Sequence, residues 1–129
     1  MTSPEALSTL PPMATIREIV QAFGQRDGVD TVLVLGRDGL PIDSTSRNGL
    51  DIERVAALVP SLVDACTQLG QAGTRGEFHA GVVEFGNGFI IVSAVSAEAL
   101  LALVVQSHAD VGGLLYELRR YRSAIAALL

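Results

Sequence analysis

The chain contains no lysine at all. That absence removes a Walker A lysine, a Schiff-base lysine and a lysine general base in one stroke. A single cysteine, Cys66, cannot close an internal disulfide, which fits a reducing compartment. No apolar run approaches the eighteen or so residues that a membrane span requires. The first residues show neither a basic nor an apolar signal-peptide region, so a cytoplasmic protein without membrane insertion is expected. The net charge of −5 argues against nucleic acid as a partner.

Catalytic and metal-binding patterns are missing as well. There is no Gly-x-Ser-x-Gly, and helical phasing puts Cys66 on the buried side of its helix, where a thiol is inert. His79 and His108 lack metal spacing, and surface or capping roles are expected for both. Asp38, Asp43 and Asp51 break the one-three-five pattern of an EF-hand loop and read as turn and cap residues. The glycine-bearing stretch from Gly70 to Gly76 has no strand directly before it, as a phosphate cradle would need. Arg119, Arg120 and Arg122 form the one basic cluster, read as a solvated helix end complementing the helix dipole, with a contact to an acidic partner as the alternative. No catalytic residue, no metal site and no cofactor is therefore expected.

What is present is apolar: 49% of 129 residues are hydrophobic and mean hydropathy is +0.41. At that length the chain makes one domain, and the surplus apolar surface is expected to face another protein. Val29 to Ser44 organises it. Val32-Leu33-Val34-Leu35 reads as a strand buried on both faces. A two-residue Asp38–Gly39 loop, with positive φ at both positions, is expected to return the chain as a second strand. Pro41 cannot donate to a ladder and puts that second strand at an edge or at its own start.

Residues 1–12 hold three prolines and read as a flexible tail before a domain over 13–129. Met13, Ile16, Ile19, Val20 and Phe23 phase as a first amphipathic helix. A second helix is expected from a cap at Asp51 or a neighbour to about Leu69, stopped by Gly70 and kinked at Pro60. Strands over Glu77–Phe85, Gly88–Val95 and Ala99–Val105 follow, joined by hairpins. The last helix is expected to turn Val111, Leu114, Leu115, Leu118, Tyr121, Ile125 and Leu129 inward. Its Gly112 and Gly113 suggest a close approach to another backbone. The order is α-β-β-α-β-β-β-α, a five-stranded antiparallel sheet with helices on its faces.

The second helix divides into three faces at 100° per residue. Ile52, Ala56, Val59, Val63 and Cys66 face the sheet, and Leu58, Leu62, Ala65 and Leu69 form a stripe beside them. Arg54, Ala57, Ser61, Asp64 and Gln68 occupy the rest. An apolar arc this wide exceeds what one sheet needs, so the helix is expected to touch a second body.

Three segments resemble the roadblock/dynein light chain family. They are Gly28-Val29 with Val32-Leu33-Val34 and Arg37-Asp38-Gly39-Leu40-Pro41-Ile42; the strand triplet from Val82-Val83-Glu84-Phe85 through Gly88-Phe89-Ile90-Ile91-Val92 to Leu100-Leu101-Ala102-Leu103-Val104; and Ala109 to Arg120, where the family more often has asparagine at the position of Asp110. The resemblance implies a profilin-like or longin-like α/β sandwich that dimerises and binds or regulates a small Ras-like GTPase. Members of the mutual-gliding type act as GTPase-activating partners without supplying a catalytic residue; others are structural scaffolds in larger complexes.

Family topology leaves the third strand outermost. The expected homodimer interface is then Leu58, Leu62, Ala65 and Leu69 with Phe78, Ala80 and Val82, and the expected GTPase-binding patch is Arg54, Ala57, Ser61, Asp64 and Gln68. A scaffold without a GTPase is the alternative. A small-molecule sensor of the PAS or GAF kind would need an internal cavity, and the Val, Ile and Leu of the strands argue against one.

Overall fold

The computed structural model describes residues 14–129, so the expected tail over 1–12 and Met13 lie outside the described residues. Helix α1 spans Ile16–Gly24 and strands β1 and β2 span Val29–Gly36 and Pro41–Ser46. Helix α2 covers Ile52–Ala72; strands β3, β4 and β5 cover Ala80–Phe85, Gly88–Ala94 and Ala99–Val105; helix α3 covers Val111–Ala126. Every pairing is antiparallel, in the order β2-β1-β5-β4-β3. The expected element order and both expected edges are present.

Two cores sandwich the sheet. Because side chains alternate across a strand, Val32 and Val34 point with Ile91, Leu101 and Leu103 toward α1 and α3, meeting Ile19, Val20, Phe23, Leu114, Leu118 and Ile125. Leu33 and Leu35 point with Val92, Leu100 and Ala102 toward α2, meeting Ala56, Val59 and Val63. β1 and β5 pair with each other at the sheet's centre and are covered on both faces, which explains their nearly unbroken apolar sequences.

Each helix starts on a side-chain cap. Thr15 and Glu18 form a reciprocal capping box on α1, Asp51 accepts from the Arg54 amide at 3.2 Å, and Asp110 from the Gly113 amide at 3.0 Å.

The β1–β2 turn is built differently from the expected two-residue loop. Gly39 has φ +86° while Asp38 keeps negative φ. The Gly39 amide donates to the Gly36 carbonyl at 3.0 Å and the Gly36 amide to the Leu40 carbonyl at 2.9 Å, leaving Arg37, Asp38 and Gly39 as a three-residue loop. A three-residue loop needs left-handed backbone at one residue only. The Asp38 carboxylate accepts from the Leu40 amide and closes an Asx turn.

Other expectations shift by a few residues. α2 runs past Gly70 to Ala72, because Gly70 is a contact point: a Cβ there would lie 2.8 Å from the Gly76 carbonyl oxygen as the chain doubles back. β3 begins at Ala80 and not at Glu77, since Phe78 leaves the strand direction to pack on the α2-side core. α3 ends at Ala126, so Leu129 is exposed instead of inward. Gly113 approaches side chains, those of Asp110 and Arg26, and not another backbone.

Candidate functional site

Helix α2 and the strand at the sheet edge beside it make the candidate interface. Pro60 lacks an N–H and cannot donate back to the Ala56 carbonyl. A Cβ at Gly39 would sit 3.4 Å from that same carbonyl oxygen, so the β1–β2 turn lies against the one place where the helix ladder is open. α2 remains one continuous helix through Pro60.

The helix sorts its side chains as its phasing requires. Ala56, Val59 and Val63 are buried on the sheet, with Ile52, Val55 and Cys66 partly covered. Arg54, Ala57, Ser61, Asp64 and Gln68 are all exposed. The neighbouring stripe is exposed too: Leu58 is 62% accessible, Leu62 36% and Leu69 73%, with Ala65 also open. Three accessible leucines on one flank of a helix are apolar surface that the single chain leaves uncovered.

Position around the helix tells where that flank points. Thr67 and Gln71 line a cleft at the end of the sheet where β3 starts and β4 ends. The leucines lie about 180° around from Thr67 and Gln71 at 100° per residue. They therefore face the opposite end of the strands, where β3 runs into the Gly86–Asn87 turn.

β3 is an outermost strand with one row of backbone groups unpaired among the described residues. Its register decides which residues join the leucine flank. Val83 pairs with Ile90, which packs on the α2 side, so Gly81, Val83 and Phe85 share that side. Val82 pairs with Ile91 and Ala80 with Ser93, so both point to the α1–α3 face. Phe78, Ala80 and Val82 consequently do not share a face: Phe78 covers Gly81 on the α2 side while the other two point away. Phe85, which the expected interface leaves out, is 54% exposed on the α2 side. Its signal was the strand's starting point, since moving the start from Glu77 to Ala80 takes Phe78 out of the alternation.

Among the described residues no group of histidine, cysteine, aspartate and glutamate could hold a metal ion. His108 stands 3.6 Å from Asp27, both exposed. No helix of the described residues is long and apolar enough to cross a membrane.

The Roadblock/LC7 domain model matches residues 15–106, from the cap of α1 to the end of β5. The chain belongs to the Roadblock/LC7 domain family. Solved structures agree in fold. A gliding protein MglB from Thermus thermophilus aligns with a TM-score of 0.79 at 20% identity, covering 91% of this chain and 90% of that one. MglB of Myxococcus xanthus gives 0.79 at 15% identity over 88% and 93%. A Roadblock/LC7 domain from Streptomyces avermitilis gives 0.73 at 22% over 86% and 91%. Acanthamoeba castellanii profilin II also aligns, with a TM-score of 0.56 at 13% identity over 78% and 86%, so the Roadblock/LC7 sandwich here is profilin-like. A comparison with curated proteins found no match. In this Roadblock/LC7 chain the matched residues include all of α2 and β3, the elements of the candidate interface.

Proposed function

We propose that this chain is a non-enzymatic regulator that pairs with a second copy of itself and binds one small Ras-like GTPase across the paired α2 helices. The observation that carries the reading is the uncovered leucine flank of α2 beside the open edge of β3. Pairing the two β3 edges about a two-fold axis continues the sheet and brings the two leucine flanks together. Family membership supports both parts, the self-association and the GTPase class of partner.

In such a dimer Arg54, Ala57, Ser61, Asp64 and Gln68 of each α2 face outward as one continuous strip. Small residues at its centre and charges at its rim suit a flat partner. A body seated on the two-fold axis blocks its own symmetry mate, which sets one GTPase per dimer. The regulator offers no catalytic side chain; it acts by holding one conformation of the GTPase. Its effect is limited by its differential affinity for the two nucleotide states. A cytoplasmic setting follows from that partner.

Binding measured with the GTPase in its GDP and GTP forms tests this reading. Arg54→Glu combined with Asp64→Arg is expected to abolish binding, with dimerisation and melting temperature unchanged. Wild-type affinity in that double variant would remove the GTPase from this face.

A further inference from the structure

A cleft of about 760 Å³ opens at the end of the sheet where β1 and β4 finish and β3 starts, away from the leucine flank. Three loops and two helices meet there: Arg37 comes from the β1–β2 turn, His79 from the stretch before β3, Ser96 from the β4–β5 turn, Thr67 from α2 and Arg122 from α3. Phe78, Ala94 and Val95 give it an apolar wall.

Its two arginines are incompletely satisfied. Arg122 Nη2 donates to the His79 carbonyl at 3.3 Å, while Arg122 Nε is buried without a hydrogen-bond partner among the described residues. Arg37 uses Nε and Nη2 on the Ser96 carbonyl, at 3.3 and 3.0 Å, which leaves Nη1 without an acceptor among the described residues. Glu77 also lines the cleft, yet no carboxylate of the described residues stands within ion-pair distance of either guanidinium. Arg17 and Arg26, by contrast, are paired with Asp43 and Glu117. Arg122 Nε is closed off from the cleft, but Arg122 Nη1, like Arg37 Nη1, has no acceptor among the described residues, and an oxyanion is the group that pairs best with two guanidiniums lacking a carboxylate.

We propose that this cleft binds a small organic anion, its phosphate or carboxylate group held by Arg122 and Arg37 and its apolar body against Phe78. The volume lies within the roughly 300–1,000 Å³ usual for small-molecule sites, far more than a bare inorganic ion fills. The site lies on the flank of α2 opposite the leucines, clear of the proposed contact between copies, and its test needs neither a second copy nor a GTPase.

The test titrates the full chain with phenyl phosphate, with benzoate and with neutral benzyl alcohol at constant ionic strength, following backbone amide shifts. Saturable shifts at Phe78–Ala80 and Val95–Ala97 with either anion, and none with the alcohol, are expected; the anion that saturates identifies the headgroup. Affinity should fall at least tenfold in Arg122→Gln. Arg37→Gln, at an exposed position, should weaken binding as well and decides the matter if the first variant fails to fold. Non-saturating shifts, equal shifts with the alcohol, or wild-type affinity in a folded variant would overturn the proposal.

Discussion

Arg26 and Glu117 show what one pair of residues contributes here. Arg26 Nη1 donates to Glu117 Oε1 at 2.6 Å, and their side chains are only 8% and 6% exposed. The pair ties the turn after α1 to the middle of α3 through the interior. Glu117 Oε2 remains without a partner among the described residues, so the pair's stabilising effect is incomplete. Removing one member strands a buried charge, a loss of about 3–5 kcal/mol, whereas replacing both with apolar residues is often neutral. Arg26→Met is therefore expected to destabilise the chain by about that amount, and Arg26→Met with Glu117→Leu to recover most of it, measured by denaturant unfolding. Equal stability of the single variant and the wild type would mean that the ion pair is dispensable.

Gly39 carries two constraints at one position, the left-handed backbone and the contact with the open carbonyl of α2. Gly39→Val forces a β-branched side chain into both, and a cost of about 1–3 kcal/mol is expected. A lowered melting temperature with retained dimerisation is the anticipated result; an unchanged melting temperature would contradict this account of the turn.

At the scale of the element, α2 does more than cover a sheet. Its buried face is narrow, built from Ala56, Val59 and Val63, and the small Ala56 lets the helix settle close to the strands. The leucine flank beside it stays exposed in the single chain. Fully burying a leucine is worth about 1.5–3 kcal/mol, so three of them with Phe85 supply a substantial drive toward pairing. Leu62→Glu would place a charge within the proposed contact, where it has no partner. The expected outcome is a folded monomer by analytical ultracentrifugation at micromolar concentration. A persistent dimer would move the interface off this flank.

For the molecule as a whole, much was legible in the order of residues, because local rules decide it. The unbroken apolar run of β1 read as a strand covered on both faces, and Pro41 as a residue placed where no ladder bond was needed. The three faces of α2 followed from a fixed helical period, and so did the exposure of Leu58, Leu62 and Leu69 once one face was committed to the sheet. Asp51 announced its helix because a carboxylate beside free amides is a local matter. Tertiary structure decided the rest. Phe78 left its strand for a core contact that no neighbour in sequence encodes, and with it the edge residues facing α2 became Val83 and Phe85. The β1–β2 turn took three residues where the local Asp-Gly pattern suggested two, and Gly39 came to rest on the carbonyl that Pro60 leaves free. Arg26 with Glu117, and Arg37 with Arg122, are separated by most of the chain and meet only because the sheet order brings their elements together. Period, propensity and capping act over a few residues and can be read in line; burial and pairing act across space and cannot.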